Sequence, residues 1–233
     1  MPIFLSDPKN TNANNNLVSN SISLGSPTNV DAFYVVGSGF AAIAWTGFAS
    51  ANHSNLNNIS TTYLGEGYDG KRYAFYRFKD KTGGAKTLTF TPLAGQTVSI
   101  ETLYLMEILF EFPDDDTFVK IDMDSRERGA IIHEDLYGEY TKVQGKFKRR
   151  VEYTAEYQTR KTYREFDLFR RANPNFYFLE DMYYYPERLY KAMLGRDVKT
   201  NYTTPYKGRN YDLDPGTDES YQVLNIDFTI TER

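Results

Sequence analysis

Residues 143–158 read VQGKFKRRVEYTAEYQ, and this stretch carries the clearest periodic pattern in the chain. Most odd positions are apolar or aromatic, whereas the even positions are polar or charged. Because side chains alternate between the two faces of a strand, a period of two predicts an extended strand with one apolar face and one ionic face. The pattern continues from Thr141 to Arg160, about three times the usual strand length. We therefore expect either a bend at Gly145 or a projecting arm that pairs with a neighbour.

The residues that follow this strand predict a helical segment at about 162–194. Tyr163, Phe166 and Phe169 recur every three residues, and Asn173-Pro174 ends the run, as is typical of a helix over 162–172. A second helix is predicted to begin at Pro186 and to end at Gly195. After a loop-like stretch over 196–220, the alternation of residues 224–230 predicts a final strand built into a sheet.

The residues that precede the long strand predict a β-sandwich over 30–112. Aromatic and β-branched runs separated by glycine-rich turns predict short strands. These runs lie at 32–36, 40–45, 73–78, 87–91 and 98–112. Pro113 and the like-charge run after it mark the expected boundary, so that residues 113–233 form a second unit.

Residues 1–29 are rich in asparagine and serine and poor in apolar side chains. Such a stretch has too little apolar surface to offset the entropy of ordering itself. We therefore expect a flexible polar arm that orders when a partner subunit docks. The first seven residues have neither the basic start nor the long apolar stretch of a signal peptide, and no apolar run approaches the ~20 residues that would cross a bilayer.

The composition favours a structural or binding protein over a catalyst. The chain of 233 residues has no cysteine, two histidines and a net charge of −4. Thiolate chemistry and disulfides are therefore excluded, and no cofactor is indicated. The 20 tyrosines and 16 phenylalanines stand against one tryptophan, and tyrosine is favoured in strands and at interfaces because a large ring carries a hydroxyl.

Three short motifs have an ordinary structural interpretation. Residues 65–70 match G-x-G-x-x-G, but the following pattern predicts a strand instead of the helix that a phosphate site needs, so a hairpin loop is expected. Asp122-Met123-Asp124 begins like a calcium loop, yet the later ligand positions do not fit. His133 lies beside two acidic residues without a recognisable nucleophile motif. We predict no catalytic and no metal-binding residue.

Charged residues suggest contacts between subunits. The even face of the long strand could pair with an acidic region of another copy, near 114–124. The basic residues are interrupted by Glu152 and Glu156 in an acidic chain, which disfavours nucleic acid. The candidate interface residues are Lys148, Arg149, Arg150, Arg170, Arg171, Asp114, Asp115 and Asp116.

The second half of the chain resembles structural proteins at the tip of bacteriophage tails, the distal-tail and baseplate group. The resemblance rests on the long strand 141–160, on 164–181 and on the Tyr-Pro-Glu-Arg sequence at 185–188, with the strand ending in 228–230. The first half is similar to galactose-binding-like β-sandwich modules, on residues 41–45, 52–53 and 100–105. The resemblance implies a building block without a catalytic residue, which forms a ring or collar through contacts between subunits.

These observations predict a mainly β protein: a β-sandwich followed by a second β unit with an inserted helical segment. The expected function is that of a structural component of a phage tail tip or baseplate, made in the host cytoplasm and located in the virion. Its expected partners are other copies of itself and other tail proteins. The alternative is a carbohydrate-binding module that recognises host glycans, for which the candidate residues are Trp45, His53 and Tyr68.

Overall fold

The computed structural model describes residues 2–10, 17–48, 59–112, 119–128, 131–134, 140–143, 146–181, 184–195, 198–202 and 224–233. These residues form a mainly β structure, which confirms the predicted fold class. The chain divides into two compact units. The first unit comprises residues 1–111 and 177–189, and the second comprises residues 112–176 and 190–233.

The strands and the helix follow one another along the chain as set out here. Up to residue 111 they are β1 (Ile3–Leu5), β2 (Ser21–Ser23), β3 (Val30–Ser38), β4 (Phe40–Thr46), β5 (Ile59–Glu66), β6 (Arg72–Thr82), β7 (Thr87–Pro92), β8 (Ser99–Met106) and β9 (Ile108–Glu111). Thereafter they are β10 (Val119–Arg128), β11 (Ile131–Glu134), β12 (Tyr140–Val143), β13 (Lys146–Gln158), α1 (Arg160–Ala172), β14 (Phe176–Asp181), β15 (Tyr185–Leu194), β16 (Lys199–Tyr202) and β17 (Leu224–Glu232).

Two antiparallel sheets form the sandwich of the first unit. One has the order β5-β6-β3-β8 and the other β2-β7-β4. Phe33 and Tyr76 of the first sheet share an apolar core with Trp45 and Leu88 of the second. The predicted strands at 32–36, 40–45, 73–78 and 87–91 are confirmed, and the run at 98–112 forms β8 and β9. Thus the apolar face of each alternating strand faces the core.

The four-stranded sheet is also buried on its other face. Tyr34, Tyr73 and Tyr104 lie on this side in a second apolar cluster with Ile3 and Leu179. Strand β1 contributes Ile3 and pairs with both β9 and β14. Because β3 is covered on both sides, its residues 32–36 form a continuous apolar run instead of an alternating pattern.

The described parts of the N-terminal segment, residues 2–10 and 17–29, include two strands, which the composition of the predicted flexible arm does not indicate. Residues 3–5 form β1 and are fully buried, and β2 pairs with β7. The Asn10 side chain donates to the Leu103 carbonyl and accepts from the Leu105 amide, both at 2.8 Å. Few apolar residues are therefore sufficient to anchor this segment, since a buried asparagine supplies the hydrogen bonds that strand β8 needs.

Strand β13 lies inside the sheet of the second unit and does not project from it. It pairs with β10 over residues 146–155 and with β17 over much of the same length. Val151, Tyr153 and Ala155 are buried, as the alternation predicts. The expected pairing of this strand with another copy is therefore replaced by pairing within the chain. Gly145, the predicted bend, lies outside the described residues.

Helix α1 confirms the predicted helix over 162–172. The Thr159 hydroxyl accepts from the Thr162 amide and caps the N-terminus. Phe166 and Phe169 are buried, and the Phe166 ring lies 5.1 Å from that of Phe228. The helix predicted from Pro186 is wrong, because residues 185–194 form strand β15, whose last residues pair with β17.

Candidate binding site

The glycine-rich sequence at 65–70 forms a tight hairpin between β5 and β6, as predicted. The Gly67 amide donates to the Lys71 carbonyl at 2.8 Å, and the Gly70 amide donates to the Gly67 carbonyl at 3.1 Å. Gly70 has φ of 75°, which favours glycine. Since strand β6 follows this loop, the loop lacks the helix N-terminus that would bind a phosphate.

A pocket of about 280 Å³ lies beside this hairpin in the first unit. Its lining consists of Tyr63, Glu66, Gly67, Tyr68, Tyr184 and Pro186. Tyr68 and Tyr184 are 86% and 71% exposed, which is unusual for such large side chains. The pocket therefore combines three tyrosines, two of them open to solvent, with one carboxylate.

A network of hydrogen bonds fixes the base of the hairpin. The Tyr73 hydroxyl donates to Asp69 at 2.7 Å, and the Lys71 amide donates to the other oxygen of Asp69 at 3.1 Å. A Cβ on Gly67 would lie 2.6 Å from the Tyr73 ring. Glycine at this position therefore allows the loop to pack on the ring, and Tyr68 is presented on a constrained turn.

The opposite wall of the pocket is held by β15. The buried Tyr34 hydroxyl donates to the Pro186 carbonyl at 2.6 Å. Arg188 donates to the buried Glu180 at 3.0 Å, and its guanidinium lies 3.5 Å from the centre of the Tyr185 ring. These contacts fix the backbone next to Tyr184, so the wall is pre-formed.

Negative charge surrounds the tyrosines of the pocket. Burial, and then Glu187, raise the pKa of Tyr63, while Arg72 acts in the opposite direction. Burial and the hydrogen bond to Asp69 raise the pKa of Tyr73 strongly. Burial is the largest effect on Asp69 and opposes its ionisation, but hydrogen bonds from Tyr73 and Lys71 outweigh it, and the pKa of Asp69 is lowered. At neutral pH the hydroxyls of Tyr63 and Tyr73 are therefore protonated, and Asp69 is ionised.

The three predicted glycan-binding residues have different locations. Tyr68 lines the pocket. Trp45 is only 5% exposed and lies in the sandwich core, 4.9 Å from the Tyr76 ring and 5.6 Å from the Phe78 ring. Its prediction as a ligand contact is corrected, because an indole packed between rings offers no free face. His53 lies outside the described residues.

Three residues that line the pocket were not predicted from the sequence: Tyr63, Glu66 and Tyr184. Tyr63 and Glu66 lie within five residues of Tyr68 on the same hairpin, so the alternation of strand β5 into a glycine-rich loop was an available signal. Tyr184 is distant in the sequence and reaches the pocket through the fold. Tyr184 lies between two other tyrosines, Tyr183 and Tyr185, and no local pattern in the sequence distinguishes it from Tyr183.

The predicted interface residues are partly engaged within the chain. In the register of β10 and β13, Lys148 stands opposite Arg126 and Arg150 opposite Asp124. The Arg149 guanidinium lies over the Tyr190 ring. Arg170 and Arg171 each contact Asp167 at 2.6 Å and, beginning with Arg170, lower its pKa. Asp114, Asp115 and Asp116 lie outside the described residues.

A second pocket of about 390 Å³ lies on the polar face of the second unit. It includes Arg150, Glu152, Thr154, Lys199 and Asp227. Arg150 contacts Glu152 at 3.1 Å, and Thr154 donates to Asp227 at 2.8 Å. Because four of these five side chains contact one another and both signs of charge are present, this pocket has less ligand character than the tyrosine pocket.

Within the described residues, no group of three histidine, aspartate or glutamate side chains could hold a metal ion. The helix in the described part of the chain is neither long nor apolar enough to span a membrane. No protein-family model, curated protein or solved structure matches this chain. A function for this chain is therefore supported by the sequence resemblance and by the geometry within each unit.

Proposed function

We propose that this protein is a structural component of a phage tail tip or baseplate. Several copies assemble into a ring or collar and join the tail tube, hub or fibres. The sequence resemblance motivates this function, and the order of elements agrees with it, since a β-sandwich precedes a second β unit with an inserted helix. In this proposal the protein is located in the virion and acts through contact surfaces.

The free edge of strand β10 is the observation that carries the proposal. Within the described part of the chain, β10 pairs with β13 on one side and has no strand on the other. It is ten residues long, and a strand edge of this length without a partner in the described residues is a template for pairing with another chain. Six of its ten residues are charged, which opposes unspecific aggregation but permits pairing with a complementary strand.

Charge reversal on β10 tests this assembly. We expect Asp122→Lys to weaken self-association about tenfold or more. In a pairing of complementary charges, reversing the charge of one strand places like charges across the interface, which costs several kcal/mol. In the register with β13, Asp122 stands opposite Glu152, so the substitution replaces a like-charge pair by an opposite-charge pair and should not weaken the pairing of the two strands. Mass photometry over a dilution series measures the association.

Glu165→Lys is the matched control, since Glu165 lies on the exposed part of α1 and the change of charge is the same. This variant should assemble like the wild type. A wild-type protein that stays monomeric at high concentration, alone and with tail proteins, would refute the structural function.

A second candidate function, a carbohydrate-binding module, is favoured by the tyrosine pocket. Exposed aromatic rings pack on the apolar face of a sugar ring, and a carboxylate accepts hydrogen bonds from its hydroxyls. Tyr68, Tyr184 and Glu66 supply these groups. The two functions are compatible, because the pocket lies in the first unit and β10 in the second.

For this second function we expect binding on a glycan array that Tyr68→Ala reduces about tenfold, a plausible loss for an exposed aromatic contact. The variant should fold normally, because the Tyr68 side chain is exposed. Leu168→Ala removes a similarly exposed apolar side chain on α1 and should bind like the wild type. An array without any signal would exclude the carbohydrate function.

A further inference from the structure

We infer that the tyrosine pocket binds a positively charged ammonium group on a sugar, in preference to a neutral or an acidic sugar. The inference rests on the second candidate function, carbohydrate binding, and specifies its ligand class. Its basis is the coincidence of tyrosine rings with carboxylates around one small pocket.

The number and exposure of the tyrosine rings in the pocket favour a positively charged ligand. Tyr63, Tyr68 and Tyr184 all line the pocket. The face of an aromatic ring carries negative charge density and attracts a cation placed over it, most strongly where water is excluded. A sugar contacts such rings through its C–H groups, whereas an ammonium group gains the additional electrostatic attraction.

The sign of the charge around the pocket also favours a positively charged ligand. Glu66 lines it directly, and both Glu187 and Asp69 act on the neighbouring tyrosines. The nearby cations are already paired, since Lys71 forms an ion pair with Glu101, and Arg188 forms one with Glu180 and a longer one, at 4.0 Å, with Glu187. Arg72 lies over the Phe40 ring and offsets one of the three carboxylates. The remaining charge is negative, which attracts a cation and repels a carboxylate or sulfate.

The volume of the pocket favours a small ligand. At about 280 Å³, the pocket lies just below the usual range of small-molecule sites, roughly 300–1,000 Å³. It therefore suits one sugar residue with its substituent better than a longer oligosaccharide. The hydrogen bonds of Tyr34 and Tyr73 hold the two walls in place, so a ligand would meet a largely pre-formed site.

The test compares glucosamine with N-acetylglucosamine, which share a ring and differ at the C2 nitrogen: the first carries a protonated amine and the second a neutral acetamide with an added acetyl group. Calorimetric titration is made at a pH at which the amine is protonated. We expect glucosamine to bind about tenfold more tightly. Glu66→Gln keeps the shape of the side chain and removes its charge, and it should abolish most of this preference. Glu165→Gln, a matched change on α1, should leave the preference intact.

The outcomes separate the ligand class from the carbohydrate function. Equal affinity for the two sugars, or a preference that Glu66→Gln does not change, would overturn the ammonium inference and leave carbohydrate binding intact. Failure of both sugars to bind, together with a blank glycan array, would overturn both. Binding of glucosamine that both Tyr68→Ala and Glu66→Gln weaken would support the inference, with unfolding curves showing that both variants are folded.

Discussion

We expect Trp45→Ala to lower the free energy of unfolding of the first unit by about 3–5 kcal/mol, the usual cost of truncating a large buried aromatic side chain. Trp45 is 5% exposed and lies between Phe33, Tyr76 and Phe78, with ring centres 4.9–5.9 Å apart. Alanine would leave a cavity where strand β4 meets the opposite sheet, because close-packed neighbours relax only partly. Urea unfolding followed by circular dichroism measures the loss.

Trp45→Phe is the matched control for this prediction. It keeps an aromatic ring in the core and should cost less than half as much as alanine, with ligand binding unchanged. The single tryptophan is lost in both variants, so circular dichroism is the appropriate signal. A Trp45→Ala variant that keeps wild-type stability but loses glycan binding would show that the indole contacts ligand, contrary to its burial.

The sequence predicted most strands of the sandwich, together with β13 and β17, because these strands have a buried face that selects apolar residues. It did not predict β10, β11, β14 or β16. The alternation of β13 predicts which residues are buried, and Val151, Tyr153 and Ala155 are. Two predictions were wrong: the helix from Pro186, and the loop over 196–220, where residues 199–202 form strand β16 and pair with β17. Leu189, Tyr190 and Met193 have a spacing that fits a helix, but pairing of the strand end with β17 outweighs this local preference.

The amino-acid composition of residues 1–29 did not predict their strands for a related reason. Asparagine-rich sequences are usually unable to offset their ordering entropy. Here Ile3 and Leu5 are buried, and the Asn10 side chain hydrogen-bonds to the backbone of Leu103 and Leu105 in β8. Which asparagine makes such a contact depends on residues distant in the sequence, so a local pattern contains no signal for it.

The candidate site was predicted in part. Tyr68 and Trp45 were both chosen as aromatic residues that loops of the first module could expose. The structure separates the two by burial, and burial depends on which face of β4 meets the opposite sheet. Tyr184 joins Tyr68 only because the segment after β14 returns to the first unit. A site assembled from two distant segments is therefore recognisable from one of them at most.

The ion pair of Glu180 and Arg188 carries the other large expected effect. Glu180 is 1% exposed, and Arg188 both donates to it at 3.0 Å and stacks on Tyr185. We expect Arg188→Met to destabilise the first unit by about 3–5 kcal/mol, because removing one partner of a buried ion pair is strongly destabilising. Trp45 is the only tryptophan and lies in this unit, so its fluorescence reports the unfolding directly.

The double variant Glu180→Gln with Arg188→Met separates the charge from the packing. It removes both charges at similar volume and should recover much of the lost stability, since replacing a buried ion pair as a whole is often close to neutral. Arg188→Lys should be intermediate, because lysine keeps the charge but cannot stack as a planar group. A double variant as unstable as Arg188→Met alone would mean that the contact of Arg188 with Tyr185 stabilises this wall of the pocket more than its pairing with Glu180.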